Sequence, residues 1–225
     1  MDTTSNLYNS LILLAQSSSK YCVGMEGNIS AKTDYGMIIK ASGSKLSDLK
    51  TEDLVEFDSY GNQTTNYDKR GSMELGFHRF LLGFEDINYV SHTHPTNTVK
   101  ILCTNLANTF ATNRLFPDQV IFNSKKSCLV PYAKPGNDLT EIIKKTIKIF
   151  INSEGYFPAL ILLKNHGIIT CGKTIDECII ANDICEKSAK IFIGAMSLNK
   201  INFLTNNEII ELIEDKNEKY RKGLI

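Results

Sequence analysis

Four histidines occur in the 225-residue chain, and two of them, His92 and His94, are separated by a single threonine. Residues two apart on a β-strand project from the same face, so both imidazoles can reach one metal ion at roughly 2.0–2.1 Å. His166 follows an apolar segment and precedes Gly167, at a turn where its side chain can point into a cleft and supply a third ligand. An HxH pair is a weak signal by itself, so ordinary strand histidines are the alternative to a metal site.

Glu74 is a candidate acid/base residue and lies near the start of a helix predicted over residues 72–82. In the first turn of that helix, its negative charge would complement the helix dipole and need no further role. Beside a metal, the same group would instead take a proton from a carbon next to a carbonyl. His78 lies one helical turn after Glu74, and we interpret it as a packing residue.

The charge balance and hydropathy narrow the class of protein. Lysine plus arginine and aspartate plus glutamate both number 25, so the formal net charge is zero and nucleic acid is a poor candidate partner. Apolar runs such as residues 159–163 are too short to cross a bilayer. The polar start, residues 1–6, lacks the features of a signal peptide. We therefore expect a soluble, cytoplasmic protein without a membrane partner.

Six cysteines without a signal sequence predict reduced thiols rather than a disulfide framework. Cys171, Cys178 and Cys185 are each seven residues apart, but the first is expected at the end of a strand and the others on the buried side of a helix. We interpret all three as small buried hydrophobes. The absence of a CxxC pair argues against a zinc site made of thiolates.

Periodicity and turn residues outline the secondary structure. Leu7, Leu11 and Leu14 recur at helical spacing and predict a first amphipathic helix. Asp138 and Thr140 are candidate caps for a helix over residues 138–152. Predicted loops cover residues 22–29 and 60–67. The predicted strands cover residues 36–41, 53–57, 88–94, 159–163 and 167–171. The other predicted helices cover residues 72–82, 96–103, 174–198 and 206–220.

The mixture of strands and helices predicts the fold class α/β, with helices on both sides of a sheet. Many short strands without strict βαβ alternation favour a largely antiparallel sheet over a Rossmann sheet. The sequence contains neither a GxGxxG nor a Walker pattern. It also contains no low-complexity linker and no internal repeat, so we predict one domain over residues 1–225.

Taken together, five ordered motifs make the chain resemble the class II aldolase/adducin family, which includes sugar-phosphate aldolases and ribulose-phosphate 4-epimerase. The motifs are Gly27-Asn28-Ile29-Ser30, Ala41-Ser42-Gly43, Ser72-Met73-Glu74, His92-Thr93-His94-Pro95 and Leu163-Lys164-Asn165-His166-Gly167. The resemblance runs from about residue 7 to residue 220. It implies a three-layer α/β/α domain with a central, mainly antiparallel sheet, assembled as a homotetramer with active sites at the subunit interfaces.

The resemblance also implies a role for each matching residue. His92, His94 and His166 fall on the family's metal ligands, which most often hold Zn2+, although three histidines also suit Mn2+, Co2+ or Fe2+. Glu74 falls on its catalytic acid/base. Tyr220 is a candidate for the tyrosine that protonates the departing aldehyde oxygen. The residues that fall on the loops for the substrate phosphate are Gly27, Asn28, Ser42, Gly43 and Ser72.

The expected function is that of a metal-dependent lyase that cleaves or forms a carbon–carbon bond in a sugar or sugar phosphate, by aldol chemistry through a metal-stabilised enediolate. Met73 departs from the family pattern, because a thioether cannot donate to a phosphate where a second serine often stands. The alternatives for the substrate are therefore an unphosphorylated sugar acid and a phosphorylated one that is held differently. The alternatives are a sugar-acid decarboxylase, a 4-epimerase and a non-enzymatic, adducin-like interaction module. Epimerases carry aspartate in place of Glu74, and interaction modules lose the histidines.

Overall fold

The structure, a computed structural model, describes residues 3–198 and 200–223, so Met1 and Asp2 of the polar start lie outside the described residues. The strands are β1 (Asn28–Thr33), β2 (Gly36–Lys40), β3 (Leu54–Asp58), β4 (Tyr89–Thr93), β5 (Cys128–Val130), β6 (Leu160–Leu163) and β7 (Gly167–Gly172). The helices are α1 (Thr3–Ser19), α2 (Leu75–Leu82), α3 (Thr96–Leu102), α4 (Ala107–Thr112), α5 (Pro117–Asn123), α6 (Asn137–Glu154), α7 (Ile175–Met196), α8 (Asn206–Glu214) and α9 (Lys216–Lys222), with a 3-10 turn at Thr51–Asp53.

The seven strands form one sheet in the order β3-β2-β1-β4-β7-β6-β5. Every neighbouring pair is antiparallel except β5 and β6, which run parallel. In the centre of the sheet, β4 pairs with β1 on one side and β7 on the other. Its register sets His92 opposite Asn28 of β1 and opposite Ile169 of β7. Residues 64 and 77 positions apart in the sequence (92 − 28 and 169 − 92) thus become direct neighbours.

Helices cover both faces of the sheet, because successive strand residues point to opposite sides. On β2, Ile39 packs in the cluster beneath α2 and α6, whereas Ile38 packs in the cluster beneath α1 and α7. The same alternation on β7 sends Ile169 to the α2 and α6 side and Ile168 towards α3, α4 and α7. Fully burying one such side chain contributes about 1.5–3 kcal/mol. The predicted α/β/α fold with a mainly antiparallel sheet is confirmed.

Several predicted boundaries were wrong, each for a local reason. The helix expected from residue 72 begins at Leu75, with Glu74 as its N-cap residue, and the tail expected as one helix breaks at Asp215. Asp215 ends α8 in an extended conformation and caps α9 through its side chain. Neither Asp138 nor Thr140 caps α6, since Gly136 occupies the N-cap position. Four short elements had no predicted counterpart: β1, α4, α5 and β5.

The cysteines follow the prediction: all six are free thiols, and Cys171, Cys178 and Cys185 are buried. Cys171 lies on β7, and the other two lie on α7. Among the described residues, no helix combines the length and the apolar character needed to cross a membrane.

Helix α6 offers a matched test of this core. Ile143 on α6 is fully buried, whereas Ile149 on the same helix is 58% exposed. We expect Ile143→Ala to lower the free energy of unfolding by about 2–5 kcal/mol, because it leaves a cavity. Ile149→Ala should change it by no more than about 0.5 kcal/mol. Denaturant unfolding measures both, and equal losses would contradict the assignment of this face to the core.

Candidate metal and substrate site

The three histidines of the predicted metal site converge at one end of β4. His92 lies on β4, His94 follows the strand directly, and His166 lies in the turn between β6 and β7. That turn is tight, with Asn165 in the left-handed region at φ 55°. One potential ligand atom from each histidine lies within 4.8 Å of the others. The Nε2 atoms of His92 and His94 are 3.0 Å apart.

Burial keeps these imidazoles neutral. It lowers the pKa of His92 from 6.5 to about 3 and that of His94 to about 4, and in each case a neighbouring histidine lowers it further. Burial also lowers the pKa of His166, although the nearby Glu74 opposes that shift. The neutral imidazole is the form that binds a metal. His92 Nδ1 donates to the Ile168 carbonyl at 2.8 Å, which leaves its Nε2 lone pair facing the other histidines.

Two glycines make room for this cluster. A Cβ atom on Gly167 would lie 2.4 Å from the Thr93 carbonyl oxygen and 2.6 Å from the His94 ring. A Cβ atom on Gly27 would lie 2.8 Å from the His92 carbonyl oxygen, and Gly27 also has φ +72°, which favours glycine. The backbone around the histidines is therefore packed too closely for any side chain at these two positions.

Glu74 lies against the histidines with its side chain almost buried. Its Oε2 atom is 3.4 Å from His92 Nε2, and its Oε1 atom is 3.7 Å from His166 Nε2. The side-chain amide of Asn28 donates to Oε2 at 2.7 Å. Glu74 is the N-cap residue of α2, and its carbonyl accepts a hydrogen bond from the His78 amide at 3.4 Å. Its carboxylate reaches back to Asn28 of β1.

The interpretation of His78 as a packing residue is incomplete. The ring is fully buried and stacks on Phe77, with centroids 4.6 Å apart. In addition, its Nδ1 atom is 2.7 Å from Ser30 Oγ and its Nε2 atom bonds to Asn28 Oδ1. His78 thus joins the hydrogen-bond network that ends on Glu74.

A cavity of about 210 Å³ opens over the histidines and Glu74. Its lining contains every predicted site residue except Tyr220, namely Gly27, Asn28, Ser42, Gly43, Ser72, Glu74, His92, His94 and His166. It also contains residues that the sequence did not single out, namely Met25, Glu26, Lys40 and Pro135, together with Met73. A larger cavity of about 620 Å³ near the C-terminal helices holds none of the predicted site residues.

Lys40 is the most informative residue that sequence reasoning missed. It is 2% exposed at the end of β2, and its Nζ donates to the Ser44 carbonyl at 2.6 Å. Burial lowers the pKa of this amine, while nearby acidic groups oppose that shift. The strand pattern gave no signal, because a lysine at a strand end is usually exposed. A buried lysine amine therefore borders the cavity that Ser42 and Gly43 also line.

Glu26 was also missed. Its carboxylate lies 3.5 Å from His94 Nδ1, and it accepts a hydrogen bond from the Val23 amide at 2.9 Å. Tyr220, by contrast, lies on α9 and is 72% exposed. The structure of the single chain does not bring Tyr220 to the cavity.

An α/β/α fold that gathers three neutral histidines and a carboxylate around one cleft defines a candidate metal-centred site. The sequence profile of the Class II Aldolase and Adducin N-terminal domain matches residues 12–193. The chain belongs to this family.

The relatives of this chain include enzymes named for two different reactions. The L-fuculose phosphate aldolase of Methanocaldococcus jannaschii is 30% identical over 173 residues, which cover 76% of this chain and 86% of that protein. The 3-oxo-tetronate 4-phosphate decarboxylase of Escherichia coli K12 is 26% identical over 194 residues, covering 85% and 87%. The crystal structure of YgbL from Escherichia coli superposes with a TM-score of 0.78 at 24% identity, covering 94% of this chain and 99% of that one.

The close approach at Gly167 yields a test with a control. Gly167→Ala should displace the His94 ring and weaken zinc binding by about 10–100-fold. Gly194→Ala is the control, because its Cβ atom would meet nothing within 4 Å and the residue lies within α7. That change should raise the free energy of unfolding by up to about 1 kcal/mol. Calorimetric zinc titration measures the binding, and unchanged affinity in Gly167→Ala would contradict the packing argument.

Proposed function

We propose that the protein is a metal-dependent lyase that cleaves or forms a carbon–carbon bond in a sugar or sugar phosphate. The observation that carries the proposal is the position of Glu74, whose carboxylate oxygens lie 3.4 Å and 3.7 Å from two of three clustered histidines. A carboxylate fixed beside a metal-binding cluster suits proton transfer at a carbon next to a carbonyl group. Family membership and an aldolase relative of 30% identity support this reaction class.

The donor set fits a divalent metal ion. His92, His94 and His166 present neutral nitrogens within 4.8 Å of one another, and the 3.0 Å contact between two Nε2 atoms needs a cation or a shared proton between them. The buried Nδ1 atom of His166 has no hydrogen-bond partner among the described residues. Three imidazoles suit Zn2+ best, and also Mn2+, Co2+ or Fe2+. When bound, the ion supplies Lewis-acid stabilisation of negative charge that develops on substrate oxygens.

Glu74 holds and moves the proton. Asn28 donates to Oε2, which ties up electron density on that oxygen and makes it the weaker base. Oε1 accepts no hydrogen bond from any described residue, so it is the atom that takes the proton. The Glu74 side chain is 10% exposed and lines the cavity, so a substrate bound there can reach the carboxylate.

The far end of the substrate is held by the loops that border the cavity. Ser72 Oγ accepts hydrogen bonds from Asn28 Nδ2 and from the Glu74 amide, so its own hydroxyl proton is free to be donated. Lys40 adds an amine that can donate hydrogen bonds nearby. Together with Gly43, whose backbone leaves space for a ligand, these groups suit a phosphate or a carboxylate. Met73 offers no donor, so a second hydroxyl contact is missing.

A second candidate reaction is decarboxylation of a sugar-acid phosphate. The relative that favours it is the 26% identical decarboxylase of Escherichia coli. Loss of carbon dioxide from a 3-oxo acid leaves the same kind of enolate charge as aldol cleavage does, so the same histidines and Glu74 would serve. A 4-epimerase is less favoured because Glu74 replaces the aspartate of the epimerases. A scaffold of the adducin kind is less favoured because all three histidines are present.

Assembly and compartment form part of the proposal. Tyr220 is exposed and outside the cavity of its own chain. Its proposed role as the donor of a proton to the departing oxygen therefore requires a neighbouring copy, as in a homotetramer with interface sites. Six free thiols suit a reducing compartment, and we place the enzyme in the cytoplasm on that basis.

The decisive variants separate metal binding from proton transfer. Glu74→Gln preserves shape but removes the base, so it should keep the metal and lose turnover by about 10²–10⁴-fold. His94→Ala should lose both. Glu141→Gln, an exposed change on α6, is the matched control and should leave turnover unchanged. Metal content by mass spectrometry and turnover by aldehyde or carbon dioxide release measure the two properties.

The substrate for these assays comes from screening ketose phosphates and sugar acids with zinc-, manganese- and cobalt-loaded protein. Undiminished turnover of Glu74→Gln on a confirmed substrate would contradict the acid/base role proposed for Glu74. Protein that retains no divalent ion and gains no activity from added zinc, manganese or cobalt would favour the non-enzymatic scaffold.

The lowered pKa values predict how metal binding depends on pH. A proton competes with the metal only when the pH falls towards the pKa of the ligand, and burial lowers the pKa to about 3 for His92 and about 4 for His94. Three ordinary histidine ligands of pKa about 6.5 would together weaken binding by about thirtyfold between pH 7 and pH 6. We expect zinc affinity to change less than about threefold between pH 7 and pH 6. A tenfold loss in a titration would show that protons reach these histidines.

A further inference from the structure

We propose that His78 is a positioning residue that fixes the side-chain amide of Asn28 and, through it, the carboxylate of Glu74. The inference rests on the acid/base role proposed for Glu74. His78 does not line the cavity, and no described contact joins it to the cluster of three histidines other than the Phe77 ring, which lies between it and His92. Its hydrogen bonds run to Ser30 and Asn28 instead.

The connection is a continuous row of buried hydrogen bonds. Ser30 Oγ lies 2.7 Å from His78 Nδ1, and His78 Nε2 bonds to Asn28 Oδ1. The other end of the same amide, Asn28 Nδ2, donates to Glu74 Oε2 at 2.7 Å. Ser30 and Asn28 are two residues apart on β1 and point to the same face, while Glu74 and His78 are one turn apart. The four side chains therefore alternate between strand and helix.

The carboxylate sets the direction of every bond in this row. An ionised carboxylate only accepts, so Asn28 must turn its NH2 group towards Glu74 and its oxygen towards His78. That oxygen also only accepts, so His78 must carry its proton on Nε2. Nδ1 of His78 is then an acceptor, and Ser30 donates its hydroxyl proton to it. Only one arrangement of protons satisfies all four groups.

Burial keeps His78 in this single state. The ring is fully buried, stacks on Phe77, and has a pKa well below its ordinary value because burial disfavours the charged form. A neutral ring donates from one nitrogen only. If the Nε2–H donor were removed, the Asn28 amide could rotate and bring its oxygen against the Glu74 carboxylate. Two acceptors would then face each other, and Glu74 would lose its fixed position.

A merely structural role for His78 predicts a different response from a positioning role. The amide nitrogen of glutamine reaches the place of His Nε2, whereas that of asparagine reaches the place of His Nδ1. His78→Gln therefore restores the donor to Asn28, whereas His78→Asn only keeps a contact with Ser30, whose hydroxyl would then accept instead of donate. Both variants lose the stacked ring and its packing to a similar extent, so stability alone does not distinguish them.

The kinetic test uses the metal-loaded protein and the substrate confirmed for the wild type. We expect His78→Asn to lower kcat by about 10–100-fold with little change in KM, and His78→Gln to stay within about threefold of the wild type. In an Asn28→Ala background, His78→Asn should have no further effect on kcat, because the two residues act in series. Equal losses in the two His78 variants, or additive losses with Asn28→Ala, would overturn the proposal.

Nitrogen NMR of the four histidines supplies a readout that needs no substrate. In zinc-loaded protein, His78 should show the Nε2–H tautomer throughout pH 6–8, and Ser30→Ala should shift its Nδ1 resonance. Ser188→Ala, which removes another buried hydroxyl whose partner is within α7, is the control and should leave it unchanged. An Nδ1–H tautomer would overturn the proposal. An active Glu74→Gln variant with the Nε2–H tautomer intact would instead overturn the proposed function and leave the hydrogen-bond row standing.

Discussion

The pairing of β4 with β1 and β7 is the constraint on which the site depends. Its register places His92 between Asn28 and Ile169. Backbone hydrogen bonds of the sheet therefore fix Asn28, which holds the Glu74 carboxylate, and strand β7, whose Ile168 carbonyl orients the His92 imidazole. The turn between β6 and β7 then delivers His166 to the same end of the sheet. A slip of one residue in the register of β4 would turn His92 and His94 to the opposite face. The precision of the site is thus a property of the sheet.

Helix α2 completes the arrangement by approaching the sheet from one face. Its N-cap residue, Glu74, reaches the histidines, and its buried His78 reaches Asn28. The polar groups between helix and sheet are paired donor to acceptor, which is what makes their burial tolerable in an otherwise apolar layer. The same burial keeps the imidazoles neutral. Packing, electrostatics and the candidate chemistry therefore share one cause, the burial of polar groups between α2 and the end of β4.

Sequence reasoning recovered the fold and most cavity residues because both are carried by local patterns and ordered motifs. The HxH spacing predicted a shared strand face, and His94 keeps that alternation although it lies one residue beyond β4. The role of His78 was missed because its partners lie 48 and 50 residues earlier in the chain. Lys40 was missed because alternation does not mark a lysine as buried. The position of Tyr220 relative to a neighbouring copy depends on assembly, which a pattern within one chain does not determine.

The groups around the cavity come from residues as far apart as Met25 and His166, a separation of 141 positions (166 − 25). No short segment of the chain holds them, so an ion or substrate that needs all of them has no comparable site in the unfolded protein. Such a ligand adds its binding free energy to the stability of the folded chain, about 2.7 kcal/mol at a concentration one hundred times its Kd. Occupancy of the cavity is therefore linked to the lifetime of the protein: whatever fills the site also protects the fold from unfolding and proteolysis.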